Sequence, residues 1–324
     1  MNTNLSKSNK RLICVTVGDI EGIGIHLLIK EFKKNKVKDF ILLTNINIFI
    51  KYIKFPKNRI NLINKKNFDN YDKSKINIYN FKTKNKNTNT TDALKYAYEL
   101  TKEKIFGGIL TLPLNKFKIN NSVNNKFIDQ TTYFSKKENQ KYSNMIFYYK
   151  KKFFVPLTIH IELKEVHKSF KNKIKMIKKI ENLYLTLLND FKITKPKMIL
   201  AGINPHAGEN KIISKDDDKY LLPIINQLKS KKIFIHGPYS GDGIINSDNL
   251  NNYDVFIFTY HDQALIPFKI LSNYEGVNFT SNLNIIRVSP SHGTAENLIG
   301  SNKMISKGIL NCFSVIRKII INRN

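Results

Sequence analysis

The chain has 324 residues, of which 41% are hydrophobic and 24% charged, with 54 Lys and Arg against 25 Asp and Glu and a formal net charge of +29. That much apolar material excludes global disorder and collagen-like or mucin-like classes, and the length favours two α/β domains or one large one. Five of the basic residues are Arg, the residue whose forks read bases and clamp phosphates; the other 49 are Lys spread along the whole chain among many Asn and Ile, so drifted composition explains the charge better than a nucleic-acid role.

Short apolar runs of strand length alternate with segments of helical period, the pattern of an α/β fold. In chain order the expected strands are 11–17, 39–44, 107–112, 144–149, 153–159, 197–203, 233–236 and 254–260. The expected helices are 22–34, 91–104, 171–190, 216–229 and 302–321. Residues 56–90 are dominated by Asn and Lys and read either as a pair of short strands with loose connections or as a partly mobile insert. The Asn-rich turn at 119–126 is the best domain boundary, which divides the chain into 1–122 plus 301–324 and 123–300. No apolar run reaches the roughly 18 residues needed to span a bilayer, and the first residues lack a signal-peptide core. Cys14 and Cys312 are too few for a disulfide framework or a Cys-based zinc module. A cytoplasmic protein with no membrane partner is expected.

Three of the seven His share one context. His160 follows FFVPLTI, His206 follows KMILAGINP and His261 follows DVFIFTY, so each stands just past the carboxyl end of a buried strand, where open α/β sheets place ligands. Three neutral imidazoles converging there would make a divalent site with open positions for substrate. Taken singly, each His reads as a capping or loop residue. Asp262 and Gln263 follow His261, and Asp242 lies in the loop GPYSGDG. A carboxylate there can fix an imidazole tautomer or take an alcohol proton. The bland alternatives are a turn residue for Asp242 and a helix N-cap ahead of 263–270 for Asp262.

Two Gly-rich turns stand out. Gly18, Gly22 and Gly24 follow a strand and open a helix, an anion-binding pattern, but their spacing is not the dinucleotide fingerprint. His292, Gly293, Thr294 and Ala295 form the second, whose small residues permit close approach of a planar or phosphorylated ligand or simply start a helix. Lys269, Asn278 and Arg287 lie within nineteen residues of one another. An Arg kept where Lys abounds suggests a planar anion held by two parallel bonds, and a buried structural ion pair is the competing reading.

AGINPHAGE around His206, YHDQ at 260–263, GVN at 276–278, IR at 286–287 and HGTAENLIG at 292–300 resemble 4-hydroxythreonine-4-phosphate dehydrogenase, the PdxA family of pyridoxal 5′-phosphate biosynthesis. TVGDIEGIG at 16–24, TLPLNK at 111–116 and TIHIELKEV at 158–166 resemble its remaining motifs, in order and over nearly the whole chain. The resemblance implies a two-domain α/β/α fold like that of isocitrate and isopropylmalate dehydrogenases, with the active site in the interdomain cleft. It implies a homodimer sharing a divalent metal, Zn²⁺ before Mg²⁺ or Co²⁺, between subunits. It implies His160, His206 and His261 as metal ligands and Gln130, Thr131, Lys269, Asn278 and Arg287 as contacts of a small phosphorylated hydroxy-amino acid. His292, Gly293, Thr294 and Ala295 would lie near NAD, or NADP, and Asp242 and Asp262 would be the catalytic carboxylates.

Departures from the family pattern fall at three places. Where the family has Gly-His-Thr-Glu, this chain reads Asp129-Gln130-Thr131-Thr132. Its Gly-Pro-x-His-Lys becomes Leu112-Pro113-Leu114-Asn115-Lys116, and the Asp before HGTA is Ser291. Gln and Asn still donate hydrogen bonds but carry no proton charge near neutral pH. The expected reaction is NAD-dependent oxidation of 4-phosphooxy-L-threonine with decarboxylation to 3-amino-2-oxopropyl phosphate. A related 4-phosphothreonate dehydrogenase is the nearest alternative. A non-catalytic basic polyanion-binding protein on the same scaffold is the alternative from another class.

Overall fold

The computed structural model describes residues 12–65, 67–121, 127–301 and 304–324. Residue 11 of the first expected strand, residues 122–126 of the expected boundary turn and residues 302–303 of the last expected helix lie outside the described residues. The strands are β1 (Ile13–Thr16), β2 (Phe40–Leu43), β3 (Ile60–Ile63), β4 (Ile76–Tyr79), β5 (Gly108–Thr111), β6 (Met145–Tyr149), β7 (Lys152–Pro156), β8 (Met198–Ala201), β9 (Ile235–Tyr239), β10 (Val255–Phe258), β11 (Val277–Thr280) and β12 (Arg287–Pro290). The helices are α1 (Ile23–Lys33), α2 (Ile46–Tyr52), α3 (Lys86–Lys102), α4 (Lys116–Asn120), α5 (Gln130–Lys137), α6 (Val166–Phe170), α7 (Lys173–Phe191), α8 (Leu222–Ser230), α9 (Ser247–Asn252), α10 (His261–Ser272) and α11 (Lys307–Arg323).

Local chemistry sets several of these limits. The helix expected at 91–104 starts earlier, at Lys86, because Asn85 and Thr88 form a reciprocal capping box. The helix expected at 216–229 opens as a single π-turn, Asp217–Leu221, before α8 continues with Pro223 in its first turn. Asp262 is not an N-cap: Tyr260 holds that position, and α10 begins at His261. Residues 56–90 hold two short strands, β3 and β4, which lie parallel to each other.

The chain forms two compact units, one from residues up to Glu138 together with Asn284–Asn322, the other Asn139–Leu283. These limits differ from the expected 122/123 and 300/301. α5 belongs with the first unit because Gln130 bonds to Thr111 of β5, and β12 belongs there because it pairs with β5. In the first unit the strand order is β3-β4-β2-β1-β5-β12, all parallel. β1, β2 and β5 are buried throughout, so they read as unbroken apolar runs instead of alternating ones.

In the second unit the order is β11-β6-β7-β10-β8-β9. β11, β6 and β7 are antiparallel neighbours, whereas β7, β10, β8 and β9 run parallel. Its core includes Phe147, Phe154, Phe256, Phe258 and Phe268, with the Phe154 and Phe256 rings stacked at 5.3 Å. Burying each such ring stabilises by about 1.5–3 kcal/mol. Gly276 is required here, since a Cβ would meet Phe268 Cζ at 2.1 Å.

Candidate functional site

In the second unit the parallel neighbours β7, β10 and β8 end side by side. His160 follows β7, His261 opens α10 after β10, and His206 follows β8. The His160 and His261 ring centroids are 5.5 Å apart. His261 Nδ1 lies 2.7 Å from Asp262 Oδ1. A carboxylate only accepts, so Nδ1 carries the hydrogen and Nε2 is the nitrogen turned toward a ligand. His160 (φ 54°) and His206 (φ 51°) are left-handed, as is Ala207 (φ 52°). That backbone costs a residue with a Cβ about 1–2 kcal/mol and is found where the surroundings enforce it.

A cavity of 710 Å³ brings His206, Asp242, Asp262, Tyr260 and Gln263 together. Asp242 accepts from Ser240 Oγ and from Gly243 N at 3.0 Å. The Ser240 hydroxyl, then backbone donors and nearby His206, hold its carboxyl below the usual range. Among the described residues no three His, Cys, Asp or Glu of one chain gather closely enough to hold an ion. Lys269 is exposed on α10, and Asn278 stands on β11 with its Oδ1 buried and without a hydrogen-bond partner. Gln263, noted in the sequence only as a neighbour of His261, ties strand ends together. Its Oε1 accepts from Thr259 N at 2.9 Å and Thr259 Oγ1 at 2.8 Å, and its Nε2 donates to Gly202 O at 3.0 Å.

The first unit holds a second constellation. Arg287, 1% exposed, donates from Nε and NH2 to Thr111 Oγ1 at 3.0 and 2.7 Å, from NH1 to Thr131 Oγ1 at 3.4 Å, and from NH2 to Gln130 Oε1. Burial pushes its pKa down to about 10, against the pull of the Asp129 carboxylate. Asp129 itself caps α5 through Thr132 N at 2.9 Å. Gln130 Nε2 donates to Leu112 O at 3.1 Å, so this amide spans β5, α5 and the guanidinium.

The two Gly-rich turns meet in this unit, with Ile23 N donating to Thr294 O at 2.8 Å. Gly18 (φ 66°) cannot be replaced, because a Cβ would stand 2.3 Å from Pro113 O. His292 Nδ1 lies 2.9 Å from Gly293 O, while its Nε2 is buried without a partner, and burial pushes its pKa down. Gly293 faces open space, and Ala295 is left-handed at φ 38°. Lys118, which the sequence did not single out, bonds to Glu296 at 2.9 Å, Asp19 at 3.0 Å and Glu21 at 3.1 Å. Burial works against its ammonium, but bonds to Glu296, Asp19 and Glu21 outweigh that and push its pKa up. Asn115, in place of the family's His, caps α4 through Phe117 N at 3.1 Å and Lys118 N at 3.2 Å.

Parallel strands with imidazole and carboxylate groups set past their carboxyl ends define an enzyme of the α/β class. Its family follows from comparison: the model described as pyridoxal phosphate biosynthetic protein PdxA matches residues 35–316, and the chain belongs to that family. It is 30% identical over 325 residues to 4-hydroxythreonine-4-phosphate dehydrogenase of Aquifex aeolicus, covering 96% of this chain and 99% of that protein. It is 31% identical over 196 residues to D-threonate 4-phosphate dehydrogenase of Pectobacterium atrosepticum, covering 60% and 59%. The solved 4-hydroxythreonine-4-phosphate dehydrogenase of Klebsiella pneumoniae shares the fold, with a TM-score of 0.81 at 23% identity over 97% of this chain and 99% of that one. The chain is thus an oxidoreductase of the dehydrogenase type. Among the described residues no helix is long and apolar enough to cross a membrane.

Proposed function

We propose that the chain oxidises 4-phosphooxy-L-threonine with NAD and releases CO₂, giving 3-amino-2-oxopropyl phosphate for pyridoxal phosphate synthesis in the cytoplasm. The observation that carries this reading is family membership across 35–316, joined to three imidazoles placed after three adjacent parallel strands. The donor chemistry fits: neutral imidazoles suit Zn²⁺ and Co²⁺ better than the oxygen-seeking Mg²⁺. His160, His206 and His261 would hold the ion, which supplies Lewis-acid polarisation of the substrate alcohol and of the keto acid formed from it. NAD would supply the hydride acceptor, and the open space at Gly293 beside the unpartnered His292 Nε2 suits a flat ring with an amide donor. Thr294 and Ala295 complete that loop.

Asp262 fixes the His261 tautomer, and Asp242, held ionised beside His206, is poised to take the alcohol proton, directly or through a water shared with Asp262. In the first unit Arg287, braced by Gln130 and Thr131, and in the second Lys269 and Asn278 are the residues assigned to substrate recognition. Among the described residues of one chain no three such ligands gather, and a second copy would complete the set. Ile266, Ile270 and Tyr274, exposed on and just past α10, would give that copy an apolar face to cover, as a homodimer does. The test is NAD reduction with the phosphorylated hydroxythreonine before and after chelation. Chelator-insensitive turnover removes the metal, and no turnover removes the substrate assignment.

The resemblance to a D-threonate 4-phosphate dehydrogenase favours a second reading, since the altered Gln130 lies among the substrate contacts. Specificity constants for the two substrates, measured side by side, decide between them.

A further inference from the structure

His206 sits in a four-residue 3₁₀ turn, Pro205–Gly208, in which His206 and Ala207 themselves depart from helical dihedrals. The chain leaves β8 at Ala201 and passes through Gly202, Ile203 and Asn204 to Pro205 and His206. It then continues left-handed through Ala207, Gly208 and Glu209. Such a run needs an anchor, and one is present. Asp217, 0% exposed, accepts from Ile203 N at 2.6 Å, from Asn204 Nδ2 at 2.9 Å and from Asn204 N at 3.3 Å. The fit around this carboxylate is close on both sides: a Cβ on Gly202 would meet Asp217 Oδ1 at 2.7 Å, and one on Gly208 (φ 83°) would meet Ser214 O at 2.4 Å.

We infer that Asp217 is a positioning residue for His206, acting through the 202–208 turn to aim the imidazole as one ligand of the divalent site. An ionised carboxylate suits this task because it only accepts, and the turn offers it backbone and amide donors at once. Asn in its place keeps the shape but turns an NH₂ toward those donors. The inference rests on the reading of His206 as a metal ligand. Partners that orient a ligand typically change metal affinity 10- to 100-fold when removed.

The experiment titrates the full-length protein with Co²⁺, following its visible absorption, beside thermal melts of the same samples. Asp217→Asn should weaken Co²⁺ binding by about 10- to 100-fold in folded protein and alter the band shape. The exchanged pair Asn204→Asp with Asp217→Asn should recover much of the affinity, because the side-chain bond is re-formed in reverse. A purely structural role would lower the melting temperature and leave the Co²⁺ affinity of folded protein unchanged, which overturns the inference. Should Asp217→Asn fail to fold, Asn204→Ala decides: a few-fold loss of affinity supports the positioning role, and none overturns it. Wild-type protein that binds no Co²⁺ would instead overturn the metal reading itself.

Discussion

Replacing Arg287 by Lys separates a guanidinium that binds substrate from one that holds the protein together. Arg287 is fully buried and reaches two hydroxyls and an amide, the Thr111 oxygen receiving two of its N–H groups. Lysine brings one nitrogen on a shorter reach and keeps one or two of these bonds. Bonds to charged groups contribute about 1.5–3 kcal/mol each, and at least one is lost outright with others misaligned, so a cost of about 3 kcal/mol follows. For a unit of this size that lowers the melting temperature by roughly 6–12 °C. The assay pairs calorimetry with steady-state kinetics on the same preparation. A fall in both the melting temperature and kcat/KM is expected, because the network that braces the guanidinium also aims it. Coupling to Gln130→Leu should be non-additive, since the two side chains share Thr111. An unchanged melting temperature would refute the bracing argument, and an unchanged kcat/KM would remove Arg287 from the substrate site.

Three further outcomes are expected. Lys118→Met removes the cation that joins Asp19, Glu21 and Glu296, so hydrogen exchange in 292–298 should rise with a loss of about 1 kcal/mol or more of local stability, and the KM for NAD should rise more than kcat falls; unchanged exchange counts against the clasp. Mixing inactive His206→Ala and His261→Ala chains should restore activity in hybrid dimers, and dimers without recovery would argue against a shared site. Lys179 is buried in α7 with its Nζ donating to Ser143 O at 3.0 Å, and burial, with Lys175 nearby, lowers its pKa from 10.5 to about 8. Between those values the unfolded chain binds more protons, so stability should rise with pH from about 8 to 10.5, by on the order of 3 kcal/mol at most, and melts of Lys179→Met should lack that rise.

What the sequence made legible follows from burial. The apolar runs over β1, β2, β5, β7, β8 and β10 belong to strands buried on both faces, where side-chain identity reports the environment directly. β3 buries only Ile63, so nothing in its pattern separates it from a loop. β12 opens on a buried Arg and ends on Pro, and neither residue signals a strand interior. α10 shows in the sequence only as a short helix over 263–270, because Pro267 interrupts its pattern and Tyr260 offers no side-chain cap to mark its start. The strand-end histidines were visible because each follows such an apolar run. Lys118 and Asp217 were not, because they act through partners distant in sequence, and one more Lys among 49 carries no mark of its own.

The two positions where the resemblance expects histidine meet different ends. Asn115 has become a helix cap, a role that asks only for an acceptor aimed at two backbone N–H groups. Gln130 has both ends of its amide committed, Oε1 to Thr111 and Arg287 and Nε2 to Leu112 O. Neither can shuttle a proton near neutral pH. Proton transfer at these two positions is therefore closed in this chain, and in the proposed reaction it would fall to Asp242 or Asp262. The contribution left to Gln130 is geometric: it braces Arg287, so under the proposed function tolerance for a changed substrate should follow the guanidinium's position more than the charge of residue 130.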